Sequence, residues 1–495
     1  MIIAENLAFE LPERLEEVLS VSIFTLRRAS SCALQFRETR GARMIRNSIS
    51  QRDLLPKRTP TPAAKSTSKE ARSACRVALI GFGTVGRAVA RILCENSDGS
   101  LRLTHICNRN VERKKQAWVP SDVLWTDDVQ SVLYSDAQIV IELIGGLNPA
   151  EQIVRRALGS GKSVVTANKQ LIARHGPDLL QLASSQGCQI EFGASVAGGV
   201  PVLPALRTGL CGDQLHGIAG ILNGTCNYIL SRIENARIPF SEALEEAQAR
   251  GYAEADASED LDGGDARAKL TILALAGLHT QVAPESIRAR TIRSVDAVDF
   301  DYATELGCTI RQISRAVLKE NTLFADVGPC LVPTDSPFGR VQRNLNLVLT
   351  SGKYGGDMAF LGAGAGGDPT AVAVVSDLMF VAQSLAAGGG KPGVAGSVST
   401  PRISTPTISS DLETPWYLRF FVRDRPGIVA RLAQILAAHH LNIDSLLQKP
   451  GFEKASLPFV ITLEPCRDSL LHPALEDMAG LDFALRPCLC LPILR

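Results

Sequence analysis

The sequence predicts an α/β chain of three folded units, the first built on a doubly wound parallel sheet. Three observations point there. A short apolar run, CRVALI from Cys75, leads into a glycine-rich turn and then a run with helical spacing. Apolar strand-like runs then alternate with helix-like runs to about residue 192, the pattern of parallel strands joined by crossover helices. The length of 495 residues, 45% of them hydrophobic, suits about three domains at roughly 100–200 residues each.

Charge divides the chain unevenly. The whole carries 52 Lys and Arg against 51 Asp and Glu, a formal net charge of +1. Residues 1–73 hold 13 basic and 8 acidic residues, which leaves 39 against 43 for the remainder. Segment 1–74 is rich in Arg, Ser, Thr and Pro, a composition that buries too little apolar surface to fold alone, and it is expected to be a disordered basic extension. Its Arg/Ser content is similar to that of a transit peptide. Glu5, Glu10, Glu13, Glu16 and Glu17 speak against one, and a start at Met44 is the competing reading. The balanced total excludes a protein whose main partner is nucleic acid or an anionic membrane. Glu142 and Asp377 interrupt the longest apolar runs short of the ~18–20 uncharged residues of a membrane span. Twelve cysteines without a Cys-x-x-Cys pair argue against zinc or a disulfide framework and for a reducing, cytoplasmic setting.

The turn after the first strand reads GFGTVG. Gly81 permits the tight turn, Gly83 lets backbone approach a pyrophosphate, and Gly86 allows close packing of helix and strand, with the helix N-terminus facing the phosphates. Set between a strand and a helix, it marks a Rossmann-type NAD(P)-binding domain over residues 75–192. Gly81, Phe82, Gly83, Thr84, Val85 and Gly86 are the candidate cofactor residues. The second strand ends in Cys107-Asn108-Arg109-Asn110, where an NAD enzyme places an acid on the ribose. Arg109 stands there instead and suits a 2′-phosphate, so NADP is expected over NAD; the plainer reading is a solvated basic run with Arg113, Lys114 and Lys115.

Residues 193–360 are expected to form an α+β substrate and dimerisation domain, its runs TIRQISRAVL, TLFADVG and NLNLVLTS reading as strands of an antiparallel or mixed sheet. Residues 361–385 return as a glycine loop and helix to the nucleotide domain. Residues 386–415, rich in Gly, Ser, Thr and Pro, read as a flexible linker. Beyond it WYLRFFVRD, LNIDSLLQ and SLPFVITLEP are strand-like, RPGIVARLAQILAAHH is helical from Pro426, a second helix spans about 468–479, and a last strand about 484–491. This βαββαβ order over 416–495, with its Asp424-Arg425-Pro426-Gly427 turn, resembles an ACT domain.

Stretch 251–269, GYAEADASEDLDGGDARAK, is dense in carboxylates and runs into the apolar helix KLTILALAGL. Asp265 would sit in the first turn, where the macrodipole favours an anion, with Lys269 four residues on along the same face. An exposed ion pair is the ordinary outcome for an acidic loop. The apolar helix argues instead that Lys269 is partly buried and held by Asp265. Such a lysine can donate a proton to a carbonyl oxygen that gains charge as hydride arrives at carbon. Carboxylates nearby suit a substrate ammonium, together pointing to an amino-acid aldehyde or alcohol.

At this stretch the chain resembles the homoserine dehydrogenase family: A-x-x-x-G-Y, E-A-D, D-L-D-G and D-x-x-x-K fall in order over 247–269. TANK at 166–169, ASVAGGVP at 194–201, GILNGTCNYIL at 220–230 and LGAGAGGDPTAVAVVSDL at 361–378 are similar to the same family, so the resemblance covers about 76–385. It implies reversible reduction of aspartate 4-semialdehyde to homoserine. Lys269 is the implied proton donor, with Asp265 as its catalytic partner, and Glu254, Asp260, Asp265 and Lys169 are the implied substrate residues. Lys169 and Gly366 are implied to meet the cofactor. The backbone carbonyls of Val196, Gly198 and Val200 are implied to bind a monovalent cation, typically sodium. Two positions depart from the family: Gly193 replaces its usual Glu beside that cation, and Ala257 its usual Pro.

The resemblance further implies a homodimer or homotetramer, and the ACT module implies regulation by an amino acid, threonine being the natural effector. The 75 residues before Arg76 are too few for an aspartate kinase, so a monofunctional enzyme is expected. Two alternatives stand beside this reading. Cys226 would be the nucleophile of an acylating aldehyde dehydrogenase, with His216 the nearest histidine, or the chain would be a catalytically inactive amino-acid sensor.

Overall fold

A computed structural model describes residues 74–95, 99–388 and 403–494. The expected basic extension, save its last residue, lies outside the described residues, as does most of the linker.

The first unit opens with β1 (Cys75–Ile80), α1 (Thr84–Glu95), β2 (Leu101–Cys107), β3 (Leu124–Thr126), β4 (Ile139–Glu142), α2 (Ala150–Gly159), β5 (Ser163–Thr166), α3 (Lys169–Ser185) and β6 (Ile190–Glu191). Its six strands are all parallel and stand in the order β3-β2-β1-β4-β5-β6. The order reverses between β1 and β4, which opens a crevice at the carboxyl ends of those strands. β4 and β5 are buried at every position, their polar ends Glu142, Ser163 and Thr166 included, as strands covered on both faces must be. β3, only partly buried at Trp125 and Thr126, carried no apolar run and was not foreseen.

The second unit contains β7 (Leu215–Ile221), α4 (Gly224–Ala236), α5 (Phe240–Ala249), α6 (Gly264–Gly277), β8 (Arg288–Ala289), α7 (Ala297–Glu305), β9 (Cys308–Lys319), β10 (Thr322–Pro333), β11 (Leu345–Gly352) and β12 (Gly356–Ala363). Then α8 (Gly367–Ala386) runs back to the first unit, where Ala371, Val374, Leu378 and Val381 join the core of Val89 and Leu93 from α1. α8 is long and apolar enough to cross a membrane, the one such helix among the described residues. It carries the buried Asp377 on the face that meets the nucleotide unit.

The sheet of the second unit is mixed, as expected: β12-β11-β7-β9-β10 is antiparallel, while β8 and β13 (Thr407–Ser409) lie parallel to β10. β13 falls within the expected linker; its backbone pairs with Thr322–Phe324 because β10 offers an open edge there.

α6 is buried all round, which its apolar sequence demands. One side meets Ile218, Ala316, Val327 and Val348 of the sheet, and the other meets Leu171 and Ile172 of α3. The two helices approach closely at Gly176, where an added Cβ would stand 2.9 Å from Leu275 Cδ2. They lie side by side with their N-termini together, and this brings Lys169 to Asp265.

The third unit is β14 (Thr414–Val422), α9 (Ile428–Ala438), β15 (Ile443–Leu447), β16 (Leu457–Cys466), α10 (Asp468–Ala479) and β17 (Leu489–Pro492), an antiparallel sheet ordered β15-β16-β14-β17. Trp416, Leu418 and Phe420 face α9 and α10, and Tyr417 and Phe421 on the opposite face pack with Tyr302 and Ala303 of α7. α9 begins at Ile428 rather than Pro426, because Gly427 takes φ +92 and is left-handed, outside the helix.

Candidate active site

Asp265 lies in the first turn of α6 at 4% exposure. Its Oδ2 is 2.7 Å from Lys269 Nζ and its Oδ1 is 2.9 Å from Lys169 Nζ. Lys269 Nζ also donates to Leu222 O at 2.8 Å, so the ammonium is held from both sides. Burial alone would push the Asp265 carboxyl up, but the Lys269 and Lys169 charges outweigh it and hold it well below the usual carboxylate range. Burial disfavours the Lys169 ammonium, yet Asp265, with Asp260 and Glu259 behind it, keeps it above its ordinary value. Asp260 is raised by burial, a bond from Asn223 opposing. Lys169, Lys269, Asp260 and Asp265 thus converge as expected. Glu254 does not join them: its carboxylate is exposed and has no ion-pair or hydrogen-bond partner among the described residues.

Three further residues of this region were given no site role from the sequence. Asn223 caps α4 and donates to both Asp260 and Asp265. Glu142, fully buried, accepts from Thr166 Oγ1 at 2.7 Å and from the amides of Ile144 and Gly145. Asn168 caps α3 and donates to Gly146 O at 2.6 Å, which places Lys169 as the first residue of that helix. Asn223 and Asn168 lie inside quoted motifs and Glu142 ends an apolar run, so a polar residue at a strand end was the available signal.

The nucleotide cradle has the expected form. Gly81 takes φ +103, and a Cβ there would meet Leu143 O at 2.6 Å. A Cβ on Gly86 would collide with Gly81 O, while Gly83 faces open space, the opening a pyrophosphate needs. The Phe82 ring is buried beside Trp118 and Trp125, so only its backbone lines the turn, its N–H donating to Asn108 Oδ1 at 3.1 Å. Gly366 (φ +128) precedes α8, and a Cβ on Gly367 would come within 3.0 Å of Thr84 Cγ2, so the N-termini of α1 and α8 converge on one place. No acidic residue occupies the first turn of α1. Arg109 is exposed, and its guanidinium has no partner among the described residues.

In the loop after β6, Val200 O accepts the Val202 amide at 2.8 Å, and no N–H among the described residues reaches the carbonyls of Val196 or Gly198. Gly193 donates its N–H to Asp377 Oδ2 at 2.7 Å, and a Cβ on Gly193 would stand 2.6 Å from Asp377 Oδ1. The α8 carboxyl therefore fills the space of the side chain Gly193 lacks. Burial, with Glu191 nearby, pushes it up to about 7. Cys226 is fully buried, its Sγ 3.2 Å from Asp260 O, and burial raises its thiol well above the ordinary value. A thiol so placed is a packing group, not a nucleophile.

In the third unit the Asp424–Gly427 turn opens onto a cavity of about 200 Å³ lined by Ile428, Gln448, Leu457 and Phe459 among others.

Comparison with known proteins bears on all three units. Family models described as "Homoserine dehydrogenase, NAD binding domain", "Homoserine dehydrogenase" and "ACT domain" match residues 81–193, 201–379 and 416–481. A homoserine dehydrogenase of Synechocystis sp. is 36% identical over 418 residues, 82% of this chain and 96% of that one. That of Bacillus subtilis is 34% identical over 76% of this chain and 88% of its own. Among solved structures, a homoserine dehydrogenase from Thiobacillus denitrificans superposes with a TM-score of 0.78 at 32% identity, covering 85% of this chain and 98% of that one. A hyperthermophilic archaeal homoserine dehydrogenase in complex with NADPH does so with 0.55 at 26%, covering 63% and 98%.

Proposed function

Because the chain belongs to the homoserine dehydrogenase family, we propose a division of labour among its residues for that family's reaction. It is an NAD(P)-dependent oxidoreductase acting on a CH–OH group, interconverting L-aspartate 4-semialdehyde and L-homoserine in amino-acid biosynthesis. The proposal rests on one observation: the Lys269 ammonium, only 13% exposed, is pinned between Asp265 and the Leu222 carbonyl.

The nicotinamide, when bound, supplies or accepts the hydride. Lys269 gives its proton to the aldehyde oxygen as charge grows there, and takes one back in homoserine oxidation. Asp265 keeps Lys269 charged and aimed. Lys169, tied to the other oxygen of Asp265, stands between substrate and cofactor. Asp260 and Glu254 take the substrate ammonium, Glu254 from the exposed loop. The backbone of Gly81 to Gly86, with Phe82, Gly83, Thr84 and Val85 between, and the Gly366 turn receive the dinucleotide where the two helix N-termini meet. Arg109 is the 2′-phosphate clamp that makes NADP the preferred cofactor.

The carbonyls of Val196, Gly198 and Val200 hold a monovalent cation, sodium by type. Val200 O has a second lone pair beyond its bond to Val202, and Asp377 brings a carboxyl to the place where Gly193 has no side chain. The working domains are 75–192 completed by 361–385, 193–360 and 416–495, in a homodimer or homotetramer acting in the cytoplasm. Threonine binds the cavity at the Asp424–Gly427 turn and inhibits. Gly427→Asp strains a left-handed position and sets a carboxylate against that of the effector.

A coupled assay of homoserine oxidation tests these roles. We expect turnover with NADP preferred over NAD, a preference narrowed about 10-fold or more in Arg109→Ala, and threonine inhibition that Gly427→Asp abolishes. Equal use of both cofactors overturns the Arg109 assignment, inhibition unchanged in Gly427→Asp overturns the effector site, and absence of turnover overturns the catalytic roles.

A further inference from the structure

We propose that Asn223 is a positioning residue of the reaction, using both N–H bonds of its side-chain amide to hold Asp260 and Asp265 in register with Lys269. The inference rests on the roles given above to Lys269 and Asp265.

Asn223 is 3% exposed, at the junction of β7 and α4. Its Nδ2 donates to Asp260 Oδ1 at 2.6 Å and to Asp265 Oδ2 at 2.9 Å, and its Oδ1 accepts the Cys226 N–H at 2.8 Å. A carboxamide has two N–H bonds and one carbonyl oxygen, and here each has a partner. The reverse orientation would aim an oxygen at two carboxylates and strip α4 of its cap, so the network leaves one arrangement.

Two consequences follow for the chemistry. Asp265 Oδ2 is shared between Asn223 and Lys269, so the oxygen that aims the proton donor cannot swing away from it. Lys269 is meanwhile anchored to the carbonyl of Leu222, the residue before Asn223. One dipeptide therefore holds the carboxylate by a side chain and the ammonium by its backbone. The charged and titratable groups facing this pair are Lys169 from α3, Lys269 from α6, Glu259 beside Asp260, and the Cys226 thiol from α4. Without the Asn223 donors, both carboxylates lose a bond that favours their charged form.

Capping alone would be an ordinary role for such an asparagine, and the two roles separate by substitution. Asp and Ser cap a helix about as well as Asn, but neither supplies two N–H bonds. We expect Asn223→Ser to fold with a lowered melting temperature and the wild-type KM for NADP, and Asn223→Asp, which sets a third carboxylate against Asp260 and Asp265, to be less stable still. Turnover falls about 100-fold, and the acid limb of the pH profile of kcat/KM moves up by about one pH unit, more in the Asp variant. A wild-type acid limb and kcat in the Ser variant would overturn the proposal and leave a cap only. Lys269→Met, assayed alongside, separates the two levels of argument. Turnover retained there sinks the site reading itself, whereas turnover lost there with Asn223→Ser normal sinks only this inference.

Discussion

Asp265 and Asp299 are both buried carboxylates, 4% and 0% exposed, and both are bound by cations from distant parts of the chain. Burial is the largest influence on each, yet they shift in opposite directions. Asp265 meets two ammonium groups and is held low. Asp299 meets one guanidinium, from Arg419 at 2.9 and 3.0 Å, and is pushed up by burial despite that pair, the Asp296 amide and the Tyr417 hydroxyl. A second cation decides the sign. Geometry divides them further. Lys169 and Lys269 keep 39% and 13% of their side chains exposed, so the proposed catalytic cluster borders solvent where a substrate can enter. Arg419 forks both oxygens of Asp299 at the seam between β14 and α7 and keeps 2%. The first arrangement suits a proton that must move; the second fastens one unit to another.

The contrast can be broken by substitution, beginning with its catalytic side. Lys269→Met should lower turnover by about 10²- to 10⁴-fold with NADPH affinity intact, read by fluorescence titration; retained turnover would remove the functional half of the contrast. On the other side, Arg419→Met leaves Asp299 buried and unpaired, so urea denaturation should register a loss of about 3–5 kcal/mol, while turnover per folded molecule persists. An activity loss as deep as that of Lys269→Met would mean that the seam is part of the reaction machinery.

Acid titration tests the signs. Asp265, with its folded pKa depressed, contributes stability that is present above its unfolded value of about 3.9 and lost as pH falls through the folded value. Asp299, with its folded pKa raised, contributes stability that is full below about 3.9 and lost as pH rises through the folded value. The stability gap between wild type and Asp265→Asn should therefore close on acidification, and the gap to Asp299→Asn should widen. Parallel pH dependence of the two gaps would refute the opposed shifts. Least in size, Tyr417→Phe should cost about 1.5 kcal/mol, the lower end for a hydrogen bond to a charged group, measured by the same denaturation.

Much of the candidate site was legible because its geometry is local. Asp265 and Lys269 are four apart on one helix, and a helix apolar on every side has no solvent face on which to leave a lysine. Likewise the glycine turn between strand and helix announces its crevice through backbone demands alone. The seam was illegible for the opposite reason. Arg419 sits in a run, WYLRFFV, that reads as one strand with a stray charge, and its partner is 120 positions away in α7. Asn223 was quoted within a motif, but its value lies in reaching Asp260 and Asp265 across 37 and 42 positions. β13 was hidden in a polar, proline-rich stretch because it is an edge strand, held by backbone bonds to β10 rather than by apolar side chains.

What the sequence by itself determined is the part written in short-range periodicity and spacing: the doubly wound sheet, the cradle at Gly81, Gly83 and Gly86, the Asp265–Lys269 pair and the βαββαβ order of the last unit. The tertiary structure alone decided which distant residues close on those parts. It set Lys169 on the second oxygen of Asp265, left Glu254 exposed on its loop, put Asp377 in the space beside Gly193, and paired Arg419 with Asp299. The physical reason is one of range. Backbone conformation and side-chain facing follow from neighbours three or four residues apart, whereas the partner of a buried charge is chosen by the packing of whole elements.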